Sequence, residues 1–193
     1  MGTASPTSRL RLAQAVSTLA LFAVVSLTGC GPREEAPPPS GRAADSLVVA
    51  VTDAPLDWLD WDAGLDRAGL EGRLMLIDFT AGWCPWCEVM DRETYGDGAV
   101  RRRVREAFVT VRVDAESDRP QGGLGAPTGR DLAAEHRVGA FPATCFADSL
   151  GGPLFCLTGY FPPDRLLLAL DYVAEGAYRT VTFEEYVAGR EGP

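Results

Sequence analysis

The sequence predicts an α/β fold: a central mixed β-sheet, parallel strands plus a C-terminal antiparallel hairpin, with helices on both faces. Three observations carry this expectation. The run "LMLIDFT" at residues 74–80 is continuously apolar apart from Asp78, the pattern of a strand buried on both sides. Around it, helical and strand patterns alternate, as in chains that wrap helices over a parallel pair. The segment "FPATCFADSLGGPLFCLTGY" then places two apolar stretches about a turn rich in Asp, Ser, Gly and Pro, which reads as a hairpin over about 143–147 and 154–158.

Taken in order, Leu56, Leu59, Leu65, Ala68 and Leu70 recur near helical spacing, and a helix over about 61–71 is expected to close at Gly72. The 74–80 strand leads directly into Cys84-Pro85-Trp86-Cys87, which begins a helix over about 85–94. "DGAVRRRVREA" predicts a short helix with Asp97 as N-cap. "FVTVRVD", 108–114, alternates as a strand. A Gly/Pro-rich loop follows, longer than most inside compact domains, before a helix whose Thr128 and Asp131 have capping-box spacing. Pro163 opens a helix over about 163–175, with Leu166, Leu167, Leu170 and Val173 as its core stripe. Residues 180–190 add a short helix over the core.

The folded part is expected to be one domain at 47–193. Ahead of it, Arg9 and Arg11 precede an uncharged apolar run ending at Cys30, which describes a secretory signal over 1–29. The run is short and interrupted by polar residues for a membrane span. Its end, Leu27-Thr28-Gly29-Cys30, resembles the bacterial lipoprotein box, which implies cleavage before Cys30 and a lipid anchor on that residue. Residues 30–46, rich in Pro, Gly and charge, read as a flexible tether. The expected location is therefore the bacterial cell envelope, lipid-anchored and facing the periplasm or the exterior.

The formal net charge is −9, which argues against a nucleic-acid partner, because phosphates demand a basic face. All 18 basic residues are arginine, which we read as codon bias. Of five cysteines, four remain beyond the signal, an even number in a compartment that permits disulfides.

Cys84 and Cys87 carry the chemistry. The thiolate is the nucleophile, and a cysteine at the first turn of a helix has free N–H groups and the positive end of the macrodipole beside it. Cys87, one turn on, can resolve a mixed disulfide formed at Cys84. Pro85 sets the start of the helix, where its missing N–H costs little. Structural zinc would ask for four ligands; there is no second CxxC, Cys145 and Cys156 are eleven residues apart, and His136 is the sole histidine. A purely structural CxxC disulfide would close a loop too small to restrict the unfolded chain much. A reacting pair is the reading that remains.

"LIDFTAGWCPWC", "VGAFPAT" and "LTGY" resemble the thioredoxin-fold family, in the manner of exported thioredoxin-like proteins and the C-terminal domain of the periplasmic transmembrane thiol-disulfide reductase. The resemblance covers roughly 58–175. It implies that Cys84 attacks, that Cys87 resolves, and that Asp78 is the buried acid exchanging a proton with Cys87. An acid within an apolar strand is costly unless used or paired. Arg112 falls near a family lysine that pairs with this acid, although the residues equally allow an exposed strand arginine. Pro142 matches the cis-proline facing the dithiol and aligning substrate backbone. Phe141 departs from the residues common before that proline, which leaves substrate preference open. Trp83 and Trp86 would flank the sulfurs, Trp83 as packing and Trp86 toward partners. Trp83, Pro85, Trp86, Phe141 and Pro142 are thus the expected substrate contacts. His136 reads as a packed helix residue.

Cys145 and Cys156 sit on the two arms of the hairpin. Directly opposite, they suit a cross-strand disulfide; one residue out of register, they face opposite sides and stay thiols. The expected activity is disulfide exchange with protein substrates and a redox partner protein, and no metal, nucleotide or flavin is implied. Reduction is the favoured direction, on the resemblance and Asp78. Two rivals remain: an oxidase or isomerase of the same fold, and a binding module or metallochaperone holding a soft ion at Cys84 and Cys87.

Overall fold

The computed structural model describes residues 54–191. The signal, Cys30, the tether and the first residues of the expected domain lie outside the described residues. Four strands form one sheet in the order β2-β1-β3-β4. They are β1 (Leu74–Thr80), β2 (Phe108–Asp114), β3 (Ala143–Ala147) and β4 (Pro153–Thr158). β1 is central, parallel to β2 and antiparallel to β3, and β3–β4 is the expected hairpin. The apolar run of β1 follows from this position, since neighbours on both edges and helices on both faces leave it no wet side.

The helices are α1 (Trp61–Glu71), α2 (Pro85–Glu93), α3 (Gly98–Ala107), α4 (Gly129–Glu135), α5 (Pro163–Ala174) and α6 (Phe183–Glu191). Strand alternation divides the core. Met75, Ile77 and Phe79 point to one face, where Trp61 and Ala68 of α1 and Leu132 and Ala133 of α4 cover them. Leu76 points to the other, against Met90 of α2, Val100 and Val104 of α3, and Leu166, Leu170 and Val173 of α5. Phe183 and Tyr186 of α6 pack on this second cluster. Burying each such large side chain contributes about 1.5–3 kcal/mol.

The caps follow the sequence. Asp97 accepts from Ala99 N and Val100 N, and Thr128 and Asp131 form the reciprocal capping box. Gly72 closes α1 at φ 64°, a left-handed conformation that suits glycine. One expectation for α1 needs correction: Leu70 is 89% exposed. The buried stripe is Trp61, Gly64 and Ala68, and Leu70 lies two residues beyond it, across the helix. Gly64 permits this close approach, because a Cβ there would lie 2.1 Å from Val111 Cγ2.

Candidate functional site

The dithiol sits where β1 ends and α2 begins. Cys84 is the N-cap of α2, with extended backbone, and Pro85 is the first helical residue. Cys84 and Cys87 are disulfide-bonded with Cα atoms 5.4 Å apart. The Cys87 N–H donates to Cys84 Sγ at 3.1 Å. When the bond opens, that donor and the helix dipole favour negative charge on Cys84. Cys84 is buried and Cys87 half-buried.

The Phe141–Pro142 peptide is cis, as expected of that proline. It lies beside the dithiol segment, since the Phe141 ring meets Trp83 edge-on at 6.0 Å between centroids. Trp83 was expected to be packed, yet it is 66% exposed. Its side chain is held from outside, with Nε1 donating to Glu116 at 2.7 Å. Trp86 is 58% exposed and leans on Tyr160 with 5.7 Å between ring centroids. Two exposed tryptophans beside the sulfurs form an apolar rim suited to a polypeptide partner.

Beneath this rim lies Asp78, 4% exposed. Arg112, its register partner on β2, donates through Nε to Asp78 Oδ2 at 2.9 Å. Tyr95 donates to Asp78 Oδ1 at 3.4 Å and shares a 2.7 Å hydrogen bond with Thr144. Arg112 also donates to Asp91 at 2.6 Å and stacks over Trp58, 4.3 Å from the ring centroid. Burial pushes the Asp78 carboxyl up to about 6, against the pull of Arg112. Asp78, Cys84, Cys87, Glu88, Asp91 and Arg112 line one cleft of about 240 Å³. The acid is thus poised to hold or release a proton near neutral pH and shares an opening with both sulfurs.

Arg112 is resolved as the partner of the acid rather than an exposed strand arginine. Tyr95, Thr144, Asp91 and Trp58 complete the Asp78 environment and were not singled out in the sequence. Asp91 carried a signal, since it lies four residues after Cys87 and so on the same helix face. Thr144 carried none, because only the β1–β3 register places it opposite Asp78. Tyr95, just beyond α2, had none.

Cys145 and Cys156 are directly opposite in the β3–β4 register and are bonded, which decides the alternative left open by the sequence. They lie on the face away from Asp78, Cys145 in the cluster with Ile77 and Phe79 and Cys156 packed at its edge. His136, 4% exposed, packs there against Trp61 and Phe79, and burial lowers its pKa.

A central strand that delivers a dithiol to a helix N-terminus, opposite a cis-proline at the start of the hairpin, defines a thioredoxin-like protein. The family model Thioredox_DsbH, described as a protein of unknown function, DUF255, matches residues 42–174, and the chain belongs to that family. It is 32% identical over 123 residues to thiol:disulfide interchange protein DsbD 1 of Pseudomonas aeruginosa, a match covering 59% of this chain and 21% of that protein. It is 28% identical over 127 residues to uncharacterized protein B0495.5 of Caenorhabditis elegans, covering 64% of this chain and 17% of that one. Human spermatogenesis-associated protein 20 is 33% identical over 67 residues, covering 34% of this chain and 8% of its own length. These curated relatives are therefore several times longer than the matched part of the chain.

Among solved structures, a DsbH oxidoreductase superposes with TM-score 0.53 at 18% identity, covering 77% of this chain and 96% of that one. A thioredoxin from Thermus thermophilus superposes with TM-score 0.51 at 26% identity, covering 62% and 88%. Both support the thioredoxin-like fold. Among the described residues, no helix is long and apolar enough to cross a membrane.

Proposed function

We propose that the protein is a membrane-tethered, extracytoplasmic thiol-disulfide oxidoreductase that reduces disulfides of partner proteins. The observation that carries the reading is the Cys84–Cys87 pair at the N-terminus of α2, sharing a cleft with the buried Asp78. In the reduced protein, the Cys84 thiolate attacks a substrate disulfide. A mixed disulfide forms and one substrate thiolate departs. Cys87 loses its proton to Asp78 and attacks Cys84 Sγ, releasing the second substrate thiolate and leaving the Cys84–Cys87 disulfide. Two electrons pass to the substrate, and a dithiol partner protein restores them. Trp83, Trp86, Phe141 and Pro142 receive the substrate chain. The lipid on Cys30 holds the domain at the envelope membrane.

The kinship with DsbD 1, a thiol:disulfide interchange protein, supports disulfide exchange, and the motif resemblance to the periplasmic reductase domain together with the buried Asp78 favours the reducing direction. The test is the reduction potential of the Cys84–Cys87 pair, measured by equilibration with a thiol buffer and alkylation of the two forms. A value near or below about −230 mV places it with reductases, and one above about −180 mV reverses the direction of flow. Insulin disulfide reduction should accompany the first outcome and vanish in Cys84→Ser.

A further inference from the structure

The second cysteine pair has a neighbour that a merely structural crosslink does not require. His136 follows α4 as its C-cap, and its ring is sealed between Trp61 and Phe79. The side chain is 4% exposed, and neither Nδ1 nor Nε2 meets a hydrogen-bond partner. Buried polar atoms are rarely left so. A ligand atom of His136 and the sulfurs of Cys145 and Cys156 all lie within 4.8 Å of one another. Three ligand atoms around one zinc-sized ion stand roughly 3.4–3.9 Å apart, given bond lengths of about 2.0–2.3 Å. Opening the S–S bond lets the sulfurs separate toward that spacing while the ring stays where it is. A surface cleft of about 610 Å³, lined by His136, Arg137, Leu154, Phe155 and Cys156 among others, lies beside the cluster.

We propose that His136, Cys145 and Cys156 form a second site, which binds one thiophilic d10 cation, Zn(II) or Cu(I), when the Cys145–Cys156 disulfide is reduced. An external thiol or phosphine supplies two electrons, and the S–S bond becomes two thiols. The cation then displaces a proton from each thiol and takes one imidazole nitrogen. Two sulfurs and one nitrogen suit soft or borderline ions. Cu(I) is satisfied by three ligands, and Zn(II) completes four with water from the cleft. Oxidation re-forms the disulfide and expels the ion, so the site is open only to the reduced protein. It lies on the opposite sheet face from Asp78 and is independent of the chemistry of Cys84 and Cys87.

The test uses the full chain carrying Cys30→Ala, Cys84→Ser and Cys87→Ser, so that Cys145 and Cys156 are its remaining cysteines. A phosphine reductant is applied without denaturant under anaerobic conditions and then removed. Thiol counting should give two per chain. Titration with Co(II), standing in for Zn(II), and with Cu(I) against a chromophoric chelator should each end at one ion per chain. Co(II) should show the sulfur-to-metal charge-transfer band. The same chain left oxidised is the control and should bind neither ion. His136→Phe, which keeps an aromatic ring in place, should weaken binding by at least ~10-fold, the lower end of what even outer-shell changes cost. X-ray absorption on the loaded chain with His136 intact provides a second measurement, and two sulfurs and one imidazole nitrogen are expected. Failure to release the two thiols from the folded chain would overturn the proposal. So would absence of one-to-one binding, affinity unchanged in His136→Phe, or a coordination shell lacking either sulfur or imidazole.

Discussion

Arg112 donates to Asp78 at 2.9 Å from the directly paired position of the neighbouring parallel strand. The pair is unequal: Asp78 is buried, whereas the Arg112 side chain is 31% exposed and divides its guanidinium between Asp78 and Asp91. The desolvation of Asp78 therefore outweighs the attraction, and its carboxyl ends at about 6 rather than 3.8. A nearby cation thus leaves a usable acid in place, where a fully buried ion pair would fix the charge.

This shift has a signature in stability. Asp78 holds its proton more tightly folded than unfolded, so its favourable contribution is complete below pH 3.8 and is lost as pH rises to about 6. A shift of this size corresponds to on the order of 3 kcal/mol. Asp78→Asn removes the titration. Denaturant midpoints of the two oxidised proteins should therefore diverge in favour of the variant between pH 4 and pH 7, and stay parallel above that. A constant difference across the range would mean that the carboxyl titrates as an ordinary aspartate.

Arg112→Ala should move the same group further up. Removing the cation leaves burial unopposed, so the Asp78 carboxyl must titrate above about 6. Carbon NMR of the side-chain carboxyl reads this directly, and the acidic limb of the reduction rate should move with it. A downward displacement would show that the space left by the guanidinium lets water reach the carboxyl, and that relief of burial outweighs the lost cation.

How much of this was open to sequence reading differs by element. β1 was plain, because a central strand covered on both faces must be apolar throughout, and Asp78 stood out for that reason. The dithiol and its helix were equally plain, since the start of a helix favours those residue types, whereas Pro142 opposite them was legible only through the resemblance to the thioredoxin-fold family. The pairing of Arg112 with Asp78 was not, because it depends on strand register, which period-two alternation leaves free. The same register decided Cys145 and Cys156. Leu70 misled, because apolar spacing alone does not say which stripe of α1 meets the sheet, and small residues, Gly64 and Ala68, form the real contact.

The two cysteines of the dithiol should separate by role. Cys84→Ser removes the proposed nucleophile and should reduce disulfide turnover to background. Cys87→Ser keeps it but cannot resolve, so a covalent Cys84–substrate adduct should accumulate and show by mass after acid quench. An adduct held by Cys87 in the Cys84→Ser protein would reverse the assignment made from the capping geometry.

Trp86 offers a test of the rim. Its ring is more than half exposed and touches Tyr160, so truncation removes little internal packing. Trp86→Ala should leave the melting temperature nearly unchanged. It should raise KM for a protein disulfide roughly tenfold, the effect of a lost aromatic anchor worth about 1–2 kcal/mol. Turnover of a small disulfide, which has no chain to lay across the rim, should hardly change. Equal losses on both substrates would point to a disturbed dithiol instead.

The Cys145–Cys156 crosslink should matter most to stability. It joins positions eleven residues apart, and closing a loop of that size restricts the unfolded chain by about 3 kcal/mol. Cys145→Ala/Cys156→Ala leaves small apolar side chains on an apolar face, so the crosslink is the main thing lost. Part of its effect is already supplied by the hairpin turn, where Asp148 accepts from Leu150 N and Gly152 N at 2.9 Å each, so 3 kcal/mol is an upper value. Guanidinium unfolding of the oxidised proteins should show a loss up to that size. Repeated under strong reductant, the difference should shrink to the small packing term of two sulfur atoms. If the gap persists in reductant, the cysteine side chains, and not their bond, hold β3 to β4.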